Sequence, residues 1–305
     1  MKHKILILLF LIFGLNTILF GENLDNNFSK KIENLILNSS YYEIVDYFSK
    51  NKGNLNLNHE FYDKDSIQSE ILSYLNFRFL NDSNTTENKK IYDFFIGAGL
   101  NINSNFRVIK NEKEHFVSNL MSILSGFKNE KRQVELIDYL MSKGLDIKAP
   151  CYFDNERVNL YAPVVVISEN LTPKLLEIFA KNKVKPHKAL ELLANLLVEK
   201  KMNTFMQNKD MSGFKHFLKS KNYQLTREKY KEYIQIIFQN YSIEDFDEQE
   251  LAFIMSVFVG ADDTEFIKFV ADAGLIKNEK LRTKYLNSAK NNGVSQETIK
   301  ILEGE

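Results

Sequence analysis

A single cysteine, Cys151, leaves no internal disulfide to be formed, and the lack of tryptophan with only 4 prolines and 12 glycines excludes collagen-like, disulfide-stapled and low-complexity chains. An excess of one charge is lacking too, because 40 Lys and Arg stand against 40 Asp and Glu. Such a chain does not hold nucleic acid or anionic lipid through a strong basic field. With 44% apolar residues and a mean hydropathy of -0.30, what remains is a globular or repeat chain of 305 residues.

Long apolar runs are scarce, with one exception at the start. Lys2 and Lys4 precede Ile5 to Phe20, a run interrupted only by Gly14, Asn16 and Thr17. This reads as a secretory signal peptide over residues 1–21, cleaved after the small residue Gly21. Leu19 stands where a small side chain is preferred, so an uncleaved inner-membrane anchor facing the periplasm is the alternative. No Cys lies near this boundary to serve as a lipoprotein anchor. Without Lys2 and Lys4 the mature chain carries 38 basic against 40 acidic residues, so it stays near neutral. Its Asn-, Lys- and Ile-rich composition is that of an AT-rich bacterial genome, and the expected destination is the periplasm or the exterior.

Beyond the start, apolar residues recur every three or four positions, which predicts a nearly all-helical chain. Examples are Ile67, Ile71, Leu72, Leu75 and Phe79; Phe116, Leu120, Ile123, Leu124 and Phe127; and Tyr230, Tyr233, Ile234, Ile237 and Phe238. Alternation is confined to Leu55–Asn58 and Leu100–Asn103, which fit turns or small hairpins. Three segments share one form: a short amphipathic helix that ends at Gly53, Gly99 or Gly144 and continues apolar, polar, apolar, polar, directly after Gly99 and Gly144 and after Asn54 in the first. These glycines are 46 and 45 residues apart. Glycine suits the left-handed conformation that closes a helix. Fainter copies place Lys183, Asn222 and Gly274 at the same position, giving about six units of roughly 45 residues.

The tail Gly97-Ala98-Gly99-Leu100-Asn101-Ile102-Asn103 resembles the second half of an ankyrin repeat, and Ala162-Pro163-Val164 stands where that family's Thr-Pro-Leu-His stretch opens the first helix. Thr172-Pro173 then caps the second helix. The resemblance implies an all-α, helix-pair repeat solenoid. It covers residues 28–185 best; the units are longer than the family's, the Thr-Pro-Leu-His motif is nowhere intact, and three helices rather than two fall between Thr226 and Asp272. The expected organisation is therefore a signal peptide at 1–21, ankyrin-like repeats with long connections at 22–185, and degenerate helical repeats at 186–305 ending in a capping helix after Ser295. An irregular helical bundle is one alternative. A tetratricopeptide-like array is another, although the Gly-apolar-Asn tails have no role in it.

Catalytic signatures are absent: no Gly-x-Gly-x-x-Gly, Walker loop, His-Glu-x-x-His or Gly-x-Ser-x-Gly occurs. Ser125-Gly-Phe-Lys128 and Ser212-Gly-Phe-Lys215 match Ser-x-x-Lys but lack the companion motifs, and both read as turns between helices. The histidines have no second His or Cys at metal-ligand spacing, so no metal or cofactor is expected. Asp262-Asp263 reads as helix capping, the acidic run Asp245, Asp247, Glu248 and Glu250 as a solvated helix start, and Cys151 as a residue of an accessible loop.

Roughly 12 to 15 residues follow Gly53, Gly99 and Gly144 before the next apolar helix, long enough to project as fingers. They carry His59, Phe61 and Tyr62; Phe106, Arg107 and Lys110; and Tyr152, Phe153 and Arg157. Aromatic and Arg side chains are the usual interface anchors. The expected function is a non-enzymatic, exported module that binds another protein through these residues, with no nucleic-acid partner. A secreted effector acting on a host partner, or a helical domain with a small-ligand or enzymatic pocket, are the competing readings.

Overall fold

The computed structural model describes residues 26–51, 67–110, 113–126, 129–151, 160–169, 172–198 and 202–305. Residues 1–21, the expected signal peptide, lie outside these, as does Gly53. The described residues are all-α apart from one hairpin. Backbone contacts divide it into two compact units on either side of the Val165–Val166 bond.

The first unit opens with two helix pairs, α1 (Asn26–Asn38) with α2 (Tyr41–Lys50) and α3 (Ile67–Asn81) with α4 (Thr85–Gly97). A hairpin of β1 (Asn105–Lys110) and β2 (Lys113–Ser118) follows, then the pair α5 (Asn119–Gly126) and α6 (Glu130–Ser142). The next pair is α7 (Ala162–Glu169), within which the unit boundary falls, and α8 (Pro173–Lys181).

Each second helix starts at a side-chain cap. Ser40, Asn84, Asn129 and Thr172 accept hydrogen bonds from the N–H groups of Glu43, Glu87, Arg132 and Leu175, at 3.4, 3.2, 3.3 and 3.2 Å. Ser40 and Glu43 close a full capping box. The ends of the second, third and fourth pairs share one device. Gly99, Gly144 and Lys183 adopt φ of 102°, 97° and 55°, and the following N–H reaches back to the last helical turn. Leu100 bonds to the Phe95 carbonyl at 2.9 Å, Leu145 to Leu140 at 2.9 Å, and Val184 to Phe179 at 3.0 Å. These are Schellman closures, and the buried Leu100, Leu145 and Val184 supply their apolar clasp. The glycine-apolar signal thus has a direct physical meaning, and Lys183 does fill the glycine position.

In the first two pairs α1 packs on α3 and α2 on α4, so first helix lies on first and second on second, whereas the third pair meets α3 through its second helix, α6. Side chains bridge the same positions. Arg78 donates to the Ile36 and Ser39 carbonyls at 2.7 Å, satisfying the C-terminal end of α1. Glu87 accepts from the Tyr41 N–H at 2.8 Å. Between the second and third tails Asn103 uses both ends of its amide, donating to the Gly144 carbonyl at 3.0 Å and accepting from the Asp146 N–H at 2.8 Å.

The second unit continues with α9 (Ala189–Leu197), α10 (Met202–Gln207), α11 (Met211–Leu218), α12 (Lys221–Asn240), α13 (Glu248–Ala261), α14 (Thr264–Asp272), α15 (Glu279–Asn292) and α16 (Gln296–Glu303). Its last six helices repeat the arrangement, α11 packing on α13, α12 on α14, α13 on α15 and α14 on α16. Gly274 has φ 114° and closes α14 as expected, and Ser295 caps α16.

Two expectations fail. Asn222 does not end a helix: it lies in the first turn of α12, whose N-cap is Ser220, accepting from the Tyr223 N–H at 3.3 Å. The residues 214–225 therefore hold a first helix and the start of a second. Phe116 is not helical either. It belongs to β2. Leu100–Asn103 is a turn ahead of the hairpin, in keeping with the expectation for that stretch.

Candidate functional site

The only hairpin among the described residues stands between two stacked pairs. Its register runs from Asn105 opposite Ser118 to Lys110 opposite Lys113. The base is held by a buried polar network. Asn119 donates to the Ile102 carbonyl at 2.7 Å and accepts from Asn76 at 2.7 Å, while Tyr92 donates to Asn76. Asn76, Tyr92 and Asn119 are all buried, so each polar atom lost there would leave another without a partner. Ser118 accepts from the Met121 N–H at 3.3 Å and starts α5 directly from the strand.

Of the nine residues expected at a partner surface, Phe106, Arg107 and Lys110 fall together on β1, with backbones opposite Val117, Phe116 and Lys113. The other six, His59, Phe61, Tyr62, Tyr152, Phe153 and Arg157, lie outside the described residues.

Cys151 is not accessible. It is 1% exposed, its N–H donates to the Leu160 carbonyl at 2.6 Å, and burial pushes its thiol pKa up to about 12 against a lowering hydrogen bond with Ser118. A short bridge between Cys151 and Leu160 pins the loop ends, which buries a position that sequence context places in the open. Ser212-Gly-Phe-Lys215 sits inside the first turn and body of α11, not between helices, because Asp210 accepts from the Gly213 N–H at 2.8 Å and starts the helix earlier. Ser125-Gly-Phe-Lys128 extends into residues outside the described set.

In the second unit two acidic motifs have partners far away in sequence. Asp263 occupies the N-cap of α14 but does not cap it. Its carboxylate turns to α12, accepting from Arg227 Nε at 2.9 Å, Arg227 Nη2 at 3.2 Å and the Tyr223 hydroxyl at 3.0 Å. Arg227 also pairs with Glu265 and Glu228 and lies 4.5 Å from the centre of the Phe266 ring. Burial disfavours its charge, but the hydrogen bonds to Asp263 and Glu265 outweigh that and raise its pKa. Asp262, left-handed at φ 56°, accepts from the Ser295 N–H and hydroxyl, both at 2.9 Å, and from the Thr298 hydroxyl at 2.6 Å. It ties one helix pair to the start of α16.

The acidic run is not simply solvated. Glu250, 3% exposed, accepts from the Lys188 N–H at 2.7 Å and the Leu190 N–H at 3.3 Å. It supplies the cap that α9 lacks, since the αL residue Lys188 offers no side-chain cap. Burial raises the Glu250 pKa to about 7, with the Asp247 and Glu191 charges adding to the rise and the two N–H groups opposing it. His187 Nδ1 stands 3.4 Å from Asp247 Oδ2 and 3.6 Å from Glu250 Oε1. No local signal announces this group, because His187 lies about 60 residues from Asp247 and Glu250. Arg227 does leave a trace, as a charged residue within the buried series Tyr223, Arg227, Tyr230 and Ile234.

No helix among the described residues is long and apolar enough to cross a membrane. No protein-family model, no curated protein and no solved structure matches this chain.

Proposed function

We propose that the chain is an exported, ankyrin-like helix-pair solenoid whose work is to bind another protein in the periplasm or at the cell surface. The observation that carries this reading is the hairpin Asn105–Ser118, anchored between successive stacked pairs. A single helix pair cannot bury its apolar stripe alone, so pairs stack and leave their connections along one edge, where partners dock. The first-on-first and second-on-second packing of the first two pairs and of the last six helices, the Schellman tails and the Asn103 bridge support the repeat reading. Phe106 and Arg107 on β1 are residue types that anchor interfaces. The apolar start of the chain supports export.

The test is a Phe106→Ala/Phe153→Ala double variant, assayed by in-cell crosslinking and by far-UV circular dichroism. Weakened partner capture with unchanged helical content supports the reading. Unchanged capture removes the connecting segments as the partner surface.

A further inference from the structure

The group His187, Asp247 and Glu250 is not among the residues proposed above to bind a partner, and its geometry has a chemistry of its own. One ligand atom from each residue lies within 4.8 Å of the other two. The His187 Nδ1 distances of 3.4 and 3.6 Å are too long for good hydrogen bonds. They do match the edge of a tetrahedron with bonds of about 2.1 Å, which is about 3.4 Å, the geometry of His and carboxylate ligands on zinc. Glu250 is locked: its two oxygens accept from the Lys188 and Leu190 N–H groups, which leaves one lone pair on each. Such bonds orient a metal-ligating carboxylate from behind. Asp247 is an N-cap without a side-chain capping bond, and its side chain is 65% exposed, so it is free to swing the short remaining distance. His187, 39% exposed, leaves the fourth side open to water.

We propose that His187, Asp247 and Glu250 form a binding site for one divalent transition-metal ion, with zinc the best fit. Imidazole favours zinc over calcium or magnesium, which take oxygen ligands in larger numbers. Closure of the three ligands on an ion would fix α9 to the start of α13, elements that already pack together.

The experiment is calorimetric titration of the untagged full chain with Zn²⁺, and separately with Mg²⁺ and Ca²⁺. The variants are His187→Ala and Asp247→Asn, chosen because neither side chain is buried or caps a helix. Thermal melting in the presence of a chelator checks that both variants are folded. The expected result is one Zn²⁺ per chain, weakened at least ten-fold in each variant, with Mg²⁺ and Ca²⁺ failing to saturate. Co²⁺ in place of Zn²⁺ should give the intense visible absorption of a four-coordinate ion, lost in His187→Ala. The proposal is overturned by an absence of saturable Zn²⁺ binding, or by binding that changes less than ten-fold in His187→Ala.

Discussion

Two glycines at the ends of successive second helices, Gly97 and Gly144, should respond to the same substitution with opposite signs. Gly144 closes α6 at φ 97°, a backbone conformation that side chains rarely adopt, yet a Cβ built there meets no atom within 4 Å. The whole cost of Gly144→Ala is therefore conformational. A residue with a Cβ on the left-handed side loses about 1–2 kcal/mol, and the stiffer unfolded chain returns about 0.4–1 kcal/mol. The net expectation is destabilisation by about 1 kcal/mol. Gly97 ends α4 in a helical conformation, and a Cβ there also meets nothing within 4 Å. Gly97→Ala should stabilise by about 0.5–1 kcal/mol, through helix propensity and the unfolded state. Urea unfolding followed by circular dichroism measures both. The reasoning is refuted if Gly144→Ala is neutral, or if the two variants shift stability in the same direction.

Arg227→Ala strands the buried carboxylate of Asp263 and should cost about 3–5 kcal/mol, with Asp263→Asn in the same chain recovering part of the loss in a double-mutant cycle. Cys151, its thiol pKa pushed up to about 12, should resist alkylation at pH 8 in the native protein and react at once in denaturant; rapid native labelling contradicts its burial. For Glu250 the folded pKa, about 7, lies above the unfolded value, so the folded state holds the proton more tightly. In metal-free buffer, stability should fall by up to about 3 kcal/mol as pH rises from 4.5 to 7, and Glu250→Gln should flatten that slope. An equal slope in the variant would assign the dependence to other groups.

Helix ends were the most legible feature because their signals are local. A Gly followed by an apolar residue specifies its own closure, and Thr172-Pro173 specifies a start, within four or five positions. The same reading misplaced Asn222, since similarity to a tail carries no information on φ and Ser220 is the stronger capping residue. Phe116 read as helical because β2 runs into α5 without a breaker, Ser118 ending the strand and capping the helix at once. Hidden contacts are a matter of distance along the chain. Glu250 finds Lys188 and Leu190, and Asp263 finds Arg227, only after several helices have packed, so their roles could not be read from neighbours in sequence.

The proposed protein-binding surface lies on the segments that connect the stacked helix pairs. In-cell crosslinking of the tagged full chain, with mass spectrometry of the captured proteins and of the crosslinked residues, tests it most directly. One dominant stoichiometric partner in the cell envelope or medium is expected, crosslinked at Lys110 or its neighbours on the hairpin. Capture of no protein, or crosslinks confined to the second unit, would contradict it.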